Sequence, residues 1–196
     1  MEKINFIKTF IPQGDFREKY EHGGMMVRHL AAVLDEKMGA YECYECTVPI
    51  GEYDEGEIQK EFVEFTAKMY ALKLKQAKAD KIAEIAAYDT SSSVNGFMLN
   101  GLLVWLDKAT RVGLMNSTTI AKSAGQQTTT LWLGGLKLVV DCDKAIQLLS
   151  ALEMYALECF NVTASHKQAV SELTTIEEVE AYDYKAGYPK MLEMSV

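Results

Sequence analysis

Apolar residues recur at more than one spacing along this chain, and the changes of spacing mark its elements. The strongest pattern covers residues 131–166, LWLGGLKLVVDCDKAIQLLSALEMYALECFNVTASH. Short apolar runs flank Gly134-Gly135, which predicts a hairpin with a type I′ turn. A long amphipathic helix follows, opening at Asp141 or Asp143 and reaching about Glu172. Its Ile146, Leu149, Leu152, Ala156, Cys159, Phe160, Thr163 and Val170 share one broad face. The hairpin pattern occurs once before, where FMLNGLLVWLD at 97–107 answers LWLGGLKLVVD at 131–141. Asn100-Gly101 supplies the turn of that copy, although a helix over 101–106 competes with it. The two hairpins are expected to join in one antiparallel sheet, with Trp105 and Trp132 anchoring the core between them.

Upstream, residues 4–11 (INFIKTFI) read as a strand closed by Pro12. Residues 13–24 read as a loop. Residues 25–38 read as a short helix, with Met26, Val27, Leu30, Val33 and Leu34 on one face and Gly39 at its end. Another strand covers 40–50. Asp54 or Glu55 then caps a helix from about Glu57 to Ala87, roughly 45 Å long at ~1.5 Å per residue. Ile58, Phe62, Phe65, Met69 and Leu72 keep the spacing of a heptad seam and form the expected oligomer interface. Packing of this helix back onto its own domain is the competing reading. Lys73, Lys75, Lys78 and Lys81 are expected on a solvated face.

These elements predict an α+β fold. A small N-terminal α/β segment leads to a long central helix, and the C-terminal domain packs β-hairpins on a long amphipathic helix. Residues 1–88 form the N-terminal region ending in the long helix, 89–96 (DTSSSVNG) a linker, and 97–196 the hairpin-plus-helix domain. Within the last, residues 116–124 are expected to form a short helix capped by Asn116 or Ser117. Thr174 or Thr175, each with a glutamate three residues on (Glu177 or Glu178), opens another through a capping box.

Composition narrows the function. At 196 residues, 48% hydrophobic and 24% charged, the chain is long enough to bury a core and reads as globular. A net charge of -8 and a pI near 5.0 argue against non-specific nucleic-acid binding, which needs cations against phosphate. Residues 1–15 show no apolar leader, and no apolar run reaches the ~18 residues that span a bilayer. The expectation is a cytoplasmic route without a membrane partner, on which the sequons at Asn116 and Asn161 are chance matches.

Candidate chemistry is scattered. Cys43 and Cys46 form a C-x-x-C, but they lie in a strand-like segment without a second ligand pair. His22-Gly23-Gly24 lacks the fingerprint of a phosphate cradle. Ser91, Ser92, Ser93, Cys43, His22, His29, His166 and Asp183 are the possible nucleophiles, bases and acids, and they share no productive spacing. No catalytic, cofactor-binding or metal-binding residue is assigned.

A resemblance adds the functional lead. It is carried by 85–97 (IAAYDTSSSVNGF), by Trp105-Leu106-Asp107 with Arg111, and by 130–135 (TLWLGG). It continues through the helix over 152–166, 173–179 (LTTIEEV), and Tyr182-Asp183 to Tyr188-Pro189. In order and spacing these resemble a domain family of unknown function common in bacteriophage and prophage genomes, often encoded among tail and tail-fibre genes. The resemblance implies a non-enzymatic structural protein of the tail or tail-fibre apparatus, incorporated in the particle or aiding its assembly. Its implied partners are other phage structural proteins and further copies of itself, and its implied location is the host cytoplasm during assembly, or the virion. The alternative is a prophage-encoded adaptor or chaperone binding phage or host proteins transiently.

Overall fold

The computed structural model of the chain describes the backbone of residues 4–12, 19–35 and 40–196, and the side chains of 4–9, 23–28 and 44–196. Two compact units, Met1–Lys73 and Leu74–Val196, divide it. Both combine helix with sheet, so the fold is α+β.

The first unit holds β1 (Ile7–Pro12), β2 (Lys19–His22), β3 (Met25–Asp35) and β4 (Ala40–Pro49), antiparallel in the order β1-β4-β3-β2. Pro12 closes an edge strand, where a missing N–H is tolerated. Residues 25–35 are strand, not the expected helix. Their apolar positions fit both periods, and the Gly23-Gly24 turn (φ 59° and 81°) decides by folding β3 back on β2. Residues 19–22, expected as loop, are therefore strand as well, and 13–18 lie outside the described residues.

Helix α1 (Glu55–Asp89) starts in a reciprocal cap. The Glu57 amide donates to the Asp54 carboxylate (2.8 Å), and the Asp54 amide donates to the Glu57 carboxylate (3.0 Å). Its first turns cover the sheet, burying Ile58 and Phe62 against Ile4, Phe6, Met26, Cys46 and Val48. Phe65 packs on the same core, with ring centroids 5.2 Å from Phe6 and 5.1 Å from Tyr44. So three residues of the expected oligomer seam serve the chain's own core, while Met69 is half-buried and Leu72 exposed.

The second unit takes the end of α1, then α2 (Ser92–Asn95), the hairpin β5 (Gly96–Leu99) and β6 (Leu102–Trp105), and α3 (Lys108–Ser123). The hairpin β7 (Thr128–Leu133) and β8 (Leu136–Asp141), α4 (Cys142–Glu172), α5 (Ile176–Ala181) and β9 (Leu192–Met194) complete it. Both hairpins turn as expected, with φ of 51° and 79° at Asn100-Gly101 and 58° and 86° at Gly134-Gly135. They do not share a sheet. β9 pairs parallel with β5 to give the order β6-β5-β9, and β7-β8 stands as its own ribbon. Their inner faces meet α4 in a core of Phe97, Leu99, Val104, Leu131, Leu133, Val140, Leu149 and Leu152.

Other expectations are corrected here. Trp105 and Trp132 are outside that core, because strand alternation turns them to the outer faces. Residues 89–96 are not an open linker: they form the end of α1 and a capped turn whose Val94 is buried in the core. The helix expected over 116–124 begins eight residues earlier, at Lys108, because Asp107 caps it. A smaller core joins Ile85, Val170 and Val179, with Leu74, Ala77 and Ile82 against it. Two lysines expected in solvent work there: Lys78 Nζ donates to the Ser171 carbonyl (2.7 Å) near the end of α4, and Lys81 Nζ reaches Glu84 (3.0 Å). Among the described residues, no helix is long and apolar enough to cross a membrane.

Candidate binding groove

Where β6 gives way to α3, a groove of about 410 Å³ opens between that turn, the middle of α4 and the end of α1. Asp107 sets the turn. Its carboxylate accepts from the Thr110 amide (2.9 Å) and from the Thr110 hydroxyl (2.6 Å). Those bonds, the hydroxyl first, hold its pKa below the ordinary 3.8. One residue further on, Arg111 turns inward and is 8% exposed. Its Nε donates to Glu153 of α4 (2.9 Å) and its Nη1 to the Leu106 carbonyl (2.9 Å). A cation in the first turns of a helix gains nothing from the dipole. The bonds to Glu153 and Leu106 are what hold Arg111 there, and they fasten α3 to α4.

The apolar part of the groove is Trp105, Leu157 and Phe160, which are 40%, 49% and 60% exposed. Phe160, expected on the core face of α4, belongs to this surface instead. The opposite wall is built from the stretch expected as a linker. Asn95 Nδ2 donates to the Asp89 carbonyl (2.6 Å), and the Ser91 hydroxyl to the Tyr88 carbonyl (2.6 Å). Thr163 Oγ1 donates to the Asp89 carboxylate (2.8 Å). With that proton committed, the Tyr188 hydroxyl donates to Thr163 (2.9 Å). Behind the wall, the Tyr155 hydroxyl and the Cys159 thiol both reach the Val94 carbonyl, at 2.7 and 3.3 Å. Burial pushes the Tyr155 pKa up to about 12 and also raises that of Cys159, so both stay protonated at neutral pH.

Among the described residues, the scattered candidates do not converge on this groove. Ser91 is spent capping α2, and the Asp183 carboxylate accepts from the Lys185 amide (2.9 Å). His166 is pinned between the Tyr182 hydroxyl on Nδ1 (2.8 Å) and the Ala186 carbonyl on Nε2 (2.9 Å). Ala186 can only accept, so Nε2 carries the proton and, in the neutral ring, Nδ1 accepts from Tyr182. The side chains of His22, His29 and Cys43 lie outside the described residues. Cys46 is buried, and burial raises its thiol pKa. Among the described residues, no group of three or more His, Cys, Asp or Glu side chains is placed to hold a metal ion.

A family model described as a domain of unknown function, DUF4376, matches residues 76–186. The chain belongs to this family. The DUF4376 region contains the whole groove, from Asp89 to Phe160, together with the Tyr182 and Ala186 contacts that hold His166. No curated protein and no solved structure matches the chain.

The Arg111–Glu153 pair is the feature that sequence reasoning missed, since its members are far apart in the chain. Its one local signal was an arginine four residues after a capping aspartate, hidden while the helix was expected to start at Asn116. As a surface, the groove offers two aromatic rings and a leucine around a guanidinium already neutralised. It suits the burial of an apolar or aromatic side chain of a partner, the kind of contact that dominates interfaces.

Proposed function

We propose that the chain is a non-enzymatic structural protein of a bacteriophage tail or tail-fibre apparatus, incorporated in the particle or acting in its assembly. The setting comes from the resemblance to a family common in phage and prophage genomes. The mode of action comes from one observation: a preformed groove in which Trp105, Leu157 and Phe160 are exposed beside the Arg111–Glu153 pair. Rigid aromatic anchors around a fixed polar pair favour holding another protein over turning over a small molecule. The acidic charge of -8 argues against nucleic acid as the partner.

The test is mass spectrometry of particles purified from a host carrying the gene. The chain should be retained through purification, and the pair Leu157→Asp and Phe160→Asp should abolish retention while leaving the circular dichroism spectrum unchanged. Both side chains are exposed, so the fold tolerates the change. Particles that lack the wild-type chain would overturn incorporation and leave a role in assembly or as a transient adaptor. Retention of the double variant at wild-type level would overturn the groove as the contact.

A further inference from the structure

In a two-residue hairpin, the positions flanking the turn exchange both backbone bonds, and paired positions then alternate. Leu99↔Leu102 and Phe97↔Val104 are therefore the hydrogen-bonded pairs of β5 and β6. The N–H and C=O of Leu103 and Trp105 point the other way. β6 ends the order β6-β5-β9, and no described residue meets those groups. The same two residues carry exposed side chains, 56% for Leu103 and 40% for Trp105.

Edge strands are guarded by being very short, or by a lysine, a proline or a bulge. At four residues β6 is short, and it carries none of the other three. Residues 98–106, MLNGLLVWL, contain no charge and no proline, and β5 and β6 pair without a break in register.

We propose that β6 is an interface between two copies of this chain, paired antiparallel across a two-fold axis at Val104. The register follows from the backbone. Leu103 faces Trp105 of the second copy and Trp105 faces its Leu103, so that all four outward groups on each strand are satisfied in four hydrogen bonds. The β6-β5-β9 sheet then continues through the axis into its copy. Such an isologous contact needs a self-complementary patch. An edge with donor and acceptor at two positions one residue apart is its own complement, and each Leu103 lies beside a Trp105 ring on the outer face.

The repulsion expected from the acidic chain is weak at this seam, because the strand itself is uncharged. One strand a side is less than the ~1,200 Å² of a standard interface. The dimer is accordingly a concentration-dependent one, with dissociation in the micromolar range or weaker. This inference rests on the backbone edge and not on the proposed function, although Trp105 belongs to both surfaces.

Two readouts on the full chain test it. Sedimentation or light scattering should show the mass rising with concentration from 21.9 kDa toward twice that value and no further. Amide exchange at Leu103 and Trp105, fast in the monomer for want of an acceptor, should slow at least tenfold over the same range. Leu103→Pro removes an outward N–H and the outer-face leucine while leaving the bonds to β5 in place, and should stay monomeric with unchanged circular dichroism. If that variant misfolds, Leu103→Lys, which keeps the N–H and adds the missing guard charge, decides in its place. A wild-type mass of 21.9 kDa at every concentration would overturn the proposal. So would a dimer that survives both substitutions, or an oligomer in which the two amides still exchange freely.

Discussion

At the scale of single residues, the polar contacts that matter here are caps and clamps. Asp107 and Glu178 act alike, each a carboxylate gathering the donors at a helix start. Glu178 accepts from the amides of Thr174 and Thr175, both at 3.1 Å, and the Thr175 hydroxyl oxygen accepts in turn from the Glu178 amide (3.2 Å). These bonds, that of the Thr174 amide first, hold its pKa below the ordinary 4.5, as those of Thr110 hold Asp107 below 3.8. The sign of the linkage follows. A carboxylate whose pKa is lower in the folded chain contributes stability that is fully present above its unfolded value and is lost as pH falls through the folded one. Thermal melts should therefore lose stability below about pH 4.5, with the decline continuing beneath 3.8. Asp107→Asn together with Glu178→Gln keeps an acceptor at each cap but removes the titration, and should flatten this acid limb. An acid limb identical to wild type would show that these two caps do not set it.

Among the elements, the legible ones carry their own punctuation. Asn100-Gly101 and Gly134-Gly135 announce type I′ turns, Asp141 opens α4, and Thr175 with Glu178 opens α5. Where the pattern fitted two periods, as in β3, a partner strand made the choice, and sequence alone had no access to the partner. The hairpins were legible but their sheets were not, because β5 finds β9 from the far end of the chain. The groove was illegible for a similar reason: Trp105, Arg111, Glu153 and Phe160 become neighbours only when α3 and α4 dock. Glycines separate local from tertiary demands. Gly135 has φ 86° and open space around a would-be Cβ, so its requirement is conformational. Gly135→Val should cost about 1–3 kcal/mol and Gly135→Asn less, since asparagine tolerates positive φ. Gly96 has φ -72°, yet a Cβ there would lie 2.2 Å from the Ser92 carbonyl oxygen. Gly96→Ala should cost about 1–3 kcal/mol or more through that clash, and Gly96→Asn should bring no relief. Urea titrations of the four variants check the contrast; a Gly96→Asn as mild as Gly135→Asn would refute it.

For the whole molecule, the telling feature is that one helix carries two apolar stripes in different registers. Ile58, Phe62 and Phe65 serve the first core, whereas Leu74, Ala77, Ile82 and Ile85 serve the second unit. A single heptad seam drawn from the first stripe passes through Gln76 and Ala83 and misses Ile82 and Ile85. That is why the chain reads as a candidate coiled coil when no partner face is known. Each core closes among residues of its own unit, which predicts separable stability. Phe62→Ala and Phe97→Ala each remove a buried ring and should each cost about 3–5 kcal/mol locally. Amide exchange in the full chain reads where the cost falls. With Phe62→Ala, Cys46 and Val48 in β4 should lose protection while Leu131 and Val140 keep theirs; with Phe97→Ala the pattern should reverse. Equal loss in both units from either variant would mean that α1 couples the two cores into one cooperative fold. In that case a load on the proposed groove contact would be felt at the N-terminal sheet, whereas separable cores would confine it to the DUF4376 region.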